Sequence, residues 1–582
     1  MKRLIIIAIA LLARGVAVAQ EGIDKQLEVT RAYTPKVEQA AKLAIEPRMV
    51  DTVRLTPEVR YSITPTAWQT VFETPKYAPA LLSVAPFALH RPLYLRAGLG
   101  YPLQSTADLY YNPYMGNGST FGLWFNHRGS YSRIKNDLGL KPRSTEMLSE
   151  MGLYGAKNFG RRRLEGSLSY DHRLYNAYGV AATPAIATTP SAGLTTYGFM
   201  EGKAIQFGYI GGRVAYGDAF ADLGRLNFAA GVDVGLFSLS ELDFVARVRL
   251  GRMYGKHGFE VNTSYRGAGI TFGINSNNNS EAFRLSPEYL FSPPKVTIRA
   301  GVDISNIHNG GEESYWLVLP RVLAKFELAG GAFEPFVSLS SELVDNSRAA
   351  LVRQNPYTRD GAPMGWTLDA RVGFGGTVGE VFSYRLWAGS SLLNEMVFFV
   401  GRQTGIHTQE GENHSYSFDP LVFVPVAEIG WLHSAGAELG LDNLGGFSAS
   451  LRAKWYDYRL DGLEFAPAMP SWDAGLHLAY ERRRFAVRAG VDVEGERKFL
   501  DRNMLRTHSL TEAGEPTSSA SINEQVTSLG TTLDVSLGVE YSISDDFGLF
   551  VEGRNLAGQR LYPFAHYPGL PANLLLGIKA TF

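Results

Sequence analysis

The chain has 582 residues, of which 62 are glycine, 12% are aromatic and only 19% are charged, with a net charge of -1 at pH 7. So even a balance offers no field for collecting nucleic acid, and the lack of any cysteine excludes a disulfide framework or a lipid-modified cysteine. The 45% hydrophobic content is dispersed, with no run after the N-terminal stretch long enough for a membrane helix.

Residues 1–19 read as a signal peptide. Lys2 and Arg3 form the charged start, Leu4 to Leu12 the apolar core, and Ala17-Val18-Ala19 the small-residue cleavage site. Export is the expectation.

Residues 20–90 read as an extended, proline-rich periplasmic leader, because Pro35, Pro47, Pro57, Pro65, Pro75, Pro79 and Pro86 break helices and sheet ladders alike. Lys36 to Ile45 fits a short helix with Thr34 as cap and Pro35 at its first position. Three readings are open for the stretch holding Val29, Arg31, Tyr33 and Pro35: a floppy leader with no docking role, a docking strand for a periplasmic partner, or a segment tucked into a pore. The leader is too short and too interrupted for a globular plug with its own core.

From Arg91 the hydrophobic period becomes two, as strands require. Phe228, Ala230, Val232, Val234 and Leu236 alternate with Asn227, Gly231, Asp233 and Gly235. Val487, Ala489, Val491 and Val493 alternate with Arg488, Gly490, Asp492 and Glu494, and Leu533, Val535, Leu537 and Val539 with Asp534, Ser536, Gly538 and Glu540. The second face of each set carries charge and glycine, so it borders water or a polar interior. A single sheet of so many segments has edges to protect, and lipid tolerates only a closed barrel. The fold class is therefore all-β, a transmembrane antiparallel β-barrel of about 16–22 strands over residues 91–582, with an even count and the upper end favoured.

Connections sort into short ones, near 254–258, 292–294, 329–331, 442–446 and 544–546, and long ones, near 129–147, 178–197, 346–363, 400–414 and 500–526. Short turns are expected to face the periplasm and long loops the outside, which puts both chain ends in the periplasm. Tyr110, Tyr111, Tyr114, Trp455, Tyr456, Tyr458 and Tyr562 are expected to form interfacial girdles. The final strand, Ala572 to Phe582, places Leu574, Leu576, Ile578, Ala580 and Phe582 on one face, with Leu575 as the exception on the other. It is expected to close the barrel against a first strand near Leu93 to Tyr101.

No nucleophile motif stands out. His172, His477 and His566 are expected in the wall or its loops, and His407, Glu410, Glu412 and His414 lack the helical frame of a metal-binding pair. The run Arg482-Arg483-Arg484 fits a solvated turn, and Asn275 to Ser280 is amide-rich where a calcium loop needs carboxylates. No catalytic, cofactor or metal residue is assigned, and an enzyme is not expected.

Val29 to Lys42, Leu95 to Tyr111 and Phe550 to Phe582 together resemble the barrel part of the TonB-dependent receptor superfamily, in particular its plug-less, receptor-like outer-membrane members of the Bacteroidetes type. The resemblance implies a location in the outer membrane of a Gram-negative bacterium and a receptor-like role in solute transport. Lacking a plug and an energy-coupling box near Gln20, the chain departs from energised uptake by plug cycling. The expected function is a channel or receptor-like transport barrel; the alternative is a non-transporting subunit of an outer-membrane assembly or export complex. The implied partners are outer-membrane lipids, the barrel-insertion machinery, which by likeness reads the terminal Phe582, and periplasmic or surface lipoproteins.

Overall fold

The computed structural model describes residues 91–582 apart from 117, 182–194, 202–203, 221–223, 239, 272–278, 380, 411–412 and 511–515. The signal peptide and leader, with Val29, Arg31, Tyr33 and Pro35, lie outside the described residues.

Twenty-six strands follow in chain order. They begin with β1 (Leu93–Tyr101), β2 (Gln104–Tyr111), β3 (Ser119–Ser130), β4 (Glu146–Phe159), β5 (Arg162–Tyr175), β6 (Thr195–Phe199), β7 (Ile205–Asp218), β8 (Asn227–Phe237) and β9 (Glu241–Tyr254). Next come β10 (His257–Thr271), β11 (Ser280–Phe291), β12 (Val296–Asn309), β13 (Tyr315–Phe326), β14 (Glu334–Val344), β15 (Gly365–Val378), β16 (Phe382–Glu410), β17 (Asn413–Phe418) and β18 (Val422–Leu444). The chain ends with β19 (Phe447–Leu460), β20 (Trp472–Arg482), β21 (Phe485–Glu494), β22 (Arg497–Leu510), β23 (Pro516–Leu529), β24 (Thr532–Ser542), β25 (Phe547–Arg554) and β26 (Asn573–Thr581).

Each strand of the wall pairs antiparallel with the next, β5 running on to β7, β16 to β18 and β21 to β24, until β26 meets β1. The result is a closed 22-strand antiparallel barrel, the top of the predicted range and even. No helix among the described residues is long and apolar enough to cross a membrane; the strands cross it. The other four strands, β6, β17, β22 and β23, build outward from β16. The upper part of β16 pairs with β17 on one side and β22 on the other, and β6 and β23 continue the sheet at its two ends.

Alternation sets which side chain meets lipid. On β8, Val232 and Val234 are exposed while Asp233 between them pairs with Arg247 and Arg213. On β26, Leu574, Leu576 and Ile578 point outward, and Lys579 turns inward to Glu540 at 2.5 Å. Charges in the wall are thus paired within the lumen: Arg249 with Glu260, Arg299 with Glu288, Arg488 with Glu540, and Asp303 with Arg284 and Arg321.

The closing seam has its own fit. Gly98 of β1 faces Gly577 of β26, and the two leave room for the ring of Phe550, which is 1% exposed. Arg96 lies 3.9 Å over that ring and pairs with Asp108 and Glu552. Leu93 and Phe582 exchange backbone hydrogen bonds of 3.0 and 2.8 Å. The predicted pairing of Leu93 to Tyr101 with the last strand is the observed register, from Tyr94 opposite Thr581 to Tyr101 opposite Leu574.

The longest connections all leave one end of the wall, although the short connections 102–103, 238–240 and 310–314 lie at that end too. The connections 131–145, 345–364, 461–471 and 555–572, and the described parts of 176–204 and 495–531, lie at one end, whereas the turns 160–161, 255–256, 445–446, 483–484 and 543–546 lie at the other with both ends of the wall. The first is the outer end. The girdle expectation needs correcting. Tyr111, Tyr114 and Trp455 are exposed, but Tyr456 is buried on the inward parity of β19, Tyr110 bonds inward to Asn126, Tyr458 shares the parity of Tyr456, and Tyr562 sits in an outer connection. Tyrosine near a strand end says nothing of its parity, and parity decided.

Candidate functional site: an outer lid

Three outer connections leave the wall after its fifth, thirteenth and twenty-first strands, β5, β14 and β25. They therefore start about a third of the circumference apart, and yet they touch. Tyr357 from 345–364 stacks on Tyr567 from 555–572 with ring centres 3.7 Å apart, and Tyr178 from 176–204 meets Tyr567 edge-on at 5.0 Å. These contacts carry the chain across the mouth of the barrel.

The 345–364 connection reaches that far on a short helix, α1 (Arg348–Gln354). Ser347 caps it by accepting from the Ala350 N–H. Ala349, Leu351 and Val352 are buried under the lid. Its cations grip wall strands five and seven places from β14: Arg348 pairs with Glu241 of β9 at 3.0 Å, and Arg353 lies 3.7 Å over the ring of Tyr209 of β7. Leaving the helix, Tyr357 packs edge-on against Tyr175 of β5.

The core beneath these contacts is aromatic. Tyr175, Tyr178, Phe207, Phe237, Tyr357, Leu421, Phe423, Phe499 and Tyr567 form one buried cluster. The hydroxyls of Tyr178 and Tyr567 are paired, as burial demands. The Tyr178 hydroxyl donates to Pro568 O at 2.8 Å, the Tyr567 hydroxyl donates to Leu421 O, and the Leu421 N–H donates to Gly179 O at 2.9 Å. Burial pushes the Tyr357 and Tyr567 phenols well above their ordinary value, so both stay neutral.

A charged latch lies beside this core. His566 is 6% exposed and sits between two carboxylates, with Nδ1 2.9 Å from Asp137 Oδ2 and Nε2 2.8 Å from Asp501 Oδ2. Asp137 also accepts from Arg560 at 2.8 Å and from the Tyr562 hydroxyl at 2.7 Å. A neutral imidazole owns one N–H, so only the doubly protonated ring satisfies both acceptors. Burial by itself lowers the imidazolium pKa, but the hydrogen bonds and charges of Asp137 and Asp501 outweigh it and raise it to about 9. The latch joins connection 131–145, strand β22 and connection 555–572.

The sequence singled out His566 only as a wall or loop histidine, and a loop is where it lies; His172 and His477 are in β5 and β20. His407 stacks on Tyr416 with ring centres 4.4 Å apart, whereas Glu412 and the side chains of Glu410 and His414 lie outside the described residues. No group of three or more His, Asp or Glu among the described residues is placed to hold a metal ion. Leu574, Leu576, Ile578 and Phe582 are exposed on the outer face of the closing seam, while Ala580 is buried between its neighbours. The lid itself went unread. Its one local signal is the aromatic run Tyr562 to Tyr567, too rich in rings for a solvated loop.

No family model and no curated protein matches the chain. Solved structures do match in fold. The FrpB iron transporter from Neisseria meningitidis is 12% identical with a TM-score of 0.57, covering 85% of this chain and 82% of that one. The ferric-catecholate import receptor Fiu from Escherichia coli K12 is 9% identical with a TM-score of 0.56 over 85% and 82% of the two chains. The siderophore receptor PirA from Acinetobacter baumannii is 10% identical with a TM-score of 0.55 over 84% and 80%. At such identity the likeness is one of fold, that of an outer-membrane receptor barrel.

Proposed function

We propose that this protein is an outer-membrane receptor-like transport barrel in which the outer lid, not plug cycling, controls entry to the lumen. The observation that carries the reading is the meeting of Tyr178, Tyr357 and Tyr567, from connections a third of the circumference apart, over one buried core. A general pore keeps its mouth open. Here the mouth is crossed by packed rings, and solutes pass when that packing opens. The paired lumenal charges below favour a polar solute over an apolar one. The solved neighbours, which carry or bind iron complexes by their printed names, support a bulky solute as the class to test first.

Liposome swelling tests this. Vesicles holding the native protein swell slowly in a small sugar, and those holding a variant with 345–364 replaced by a short Gly-Ser link swell fast. Equal and rapid swelling of both defeats the lid.

A further inference from the structure

The lipid-facing side of the β4–β9 stretch of the inner rim carries more positive than negative charge. Lys157 stands near the end of β4, Arg162 at the start of β5, and Arg252 near the end of β9, all beside the short inner connections. Their parity is that of the exposed Leu153, Leu164 and Leu250, so they face outward. Each lies over an aromatic ring: Lys157 at 5.5 Å from Phe159, Arg162 at 4.6 Å from Phe228, and Arg252 at 4.5 Å from Tyr254. Phe159 and Tyr254 are themselves exposed, as girdle residues are.

Among the described residues on this face of the β4–β9 rim, the carboxylate is Asp218. It is buried, accepts from the Phe228 N–H at 3.1 Å and is shared by two cations, Arg161 at 3.0 Å and Arg162 at 3.9 Å, which leaves Lys157 and Arg252 without a carboxylate on this face among the described residues. Glu165, on the lumenal parity of β5, pairs with Arg163. The arc therefore presents excess positive charge at headgroup depth.

We propose that the β4–β9 arc of the inner rim binds the phosphodiester headgroups of anionic glycerophospholipids. Ring-supported guanidinium and ammonium groups at the interface keep their apolar stems in the acyl region and their heads at phosphate level. β7 and β8 separate β5 from β9, so Arg162 and Arg252 stand about 14 Å apart across the sheet. A headgroup with its own ammonium sets that cation against the next one of the arc. A headgroup whose only charge is its phosphate does not, which selects the anionic lipid.

That the arc meets the inner leaflet rests on long loops facing outward. Lipid preference in a symmetric bilayer does not, so the two claims fail separately. The test is native mass spectrometry of the protein released from bilayers of equal phosphatidylethanolamine and phosphatidylglycerol. Retained lipid is expected to be phosphatidylglycerol, by roughly five-fold for each cation engaged. The triple variant Lys157→Gln, Arg162→Gln, Arg252→Gln is expected to lose the preference, and Arg482→Gln, Arg483→Gln, Arg484→Gln on a distant turn to keep it. Equal retention of both lipids by the native protein, or an unchanged preference in the triple variant, overturns the proposal. If the triple variant does not fold, as judged by heat-modified gel mobility, Arg252→Gln alone is expected to lower the preference roughly five-fold, and no change in it overturns the proposal equally.

Discussion

His566 concentrates the electrostatics of the lid in one side chain. With its folded pKa raised to about 9 against an ordinary 6.5, its contribution is complete below about pH 6.5 and is lost as pH rises through 9. The difference is on the order of 3 kcal/mol. Hydrogen exchange of 555–572 is expected to be slow at pH 6 and to quicken as the pH passes 9; exchange that does not vary with pH beyond the intrinsic rate denies the latch. His566→Ala leaves the fully buried Asp501 without its cation, while Asp137 keeps Arg560, at a cost of about 3–5 kcal/mol to the lid, read as new protease cleavage in the outer connections of a barrel that still resists. Tyr567→Ala removes the ring on which Tyr178 and Tyr357 both pack, and local opening is expected to become easier by about 3–5 kcal/mol. Beyond the aromatic run Tyr562 to Tyr567, none of this was legible in the sequence. His566 lies 429 residues from Asp137 and 65 from Asp501, and no local periodicity records a contact made only after the barrel has closed.

Strands are a different matter, because alternation is a property of neighbours. The lipid face of β8, β21, β24 and β26 could be read residue by residue, and so could the partner of the last strand. What alternation does not record is where rings are seated. Gly577 looks like a small polar-face residue, and it is glycine because the Phe550 ring and the Ala97 carbonyl occupy the place of a side chain. Gly577→Val is therefore expected to weaken closure of β26 on β1, seen as a lower temperature for the folded-to-unfolded shift on a gel, whereas Leu576→Val on the lipid face of the same strand has little effect. Deleting Phe582 removes its two backbone bonds to Leu93 and its ring contact with Phe547. Membrane insertion is expected to fall while export to the periplasm continues; normal assembly without Phe582 contradicts the role proposed for it.

For the molecule as a whole, a closed barrel of 16–22 strands and the longest of its connections follow from turn residues and span length, both visible in the chain, while the count of 22 comes only from the pairing of the strands. The lid does not, because it depends on which loops meet over a lumen whose width only closure defines. The two levels make one account: paired charges line a polar lumen, glycine and Phe550 close the seam, and aromatic rings from three sides cover the mouth. Single-channel recording in a planar bilayer tests that account most directly, comparing the native protein with Tyr567→Ala. Native protein is expected to stay closed with rare brief openings, and Tyr567→Ala to open often and for longer. A steady large conductance from the native protein, unchanged by Tyr567→Ala, would contradict it.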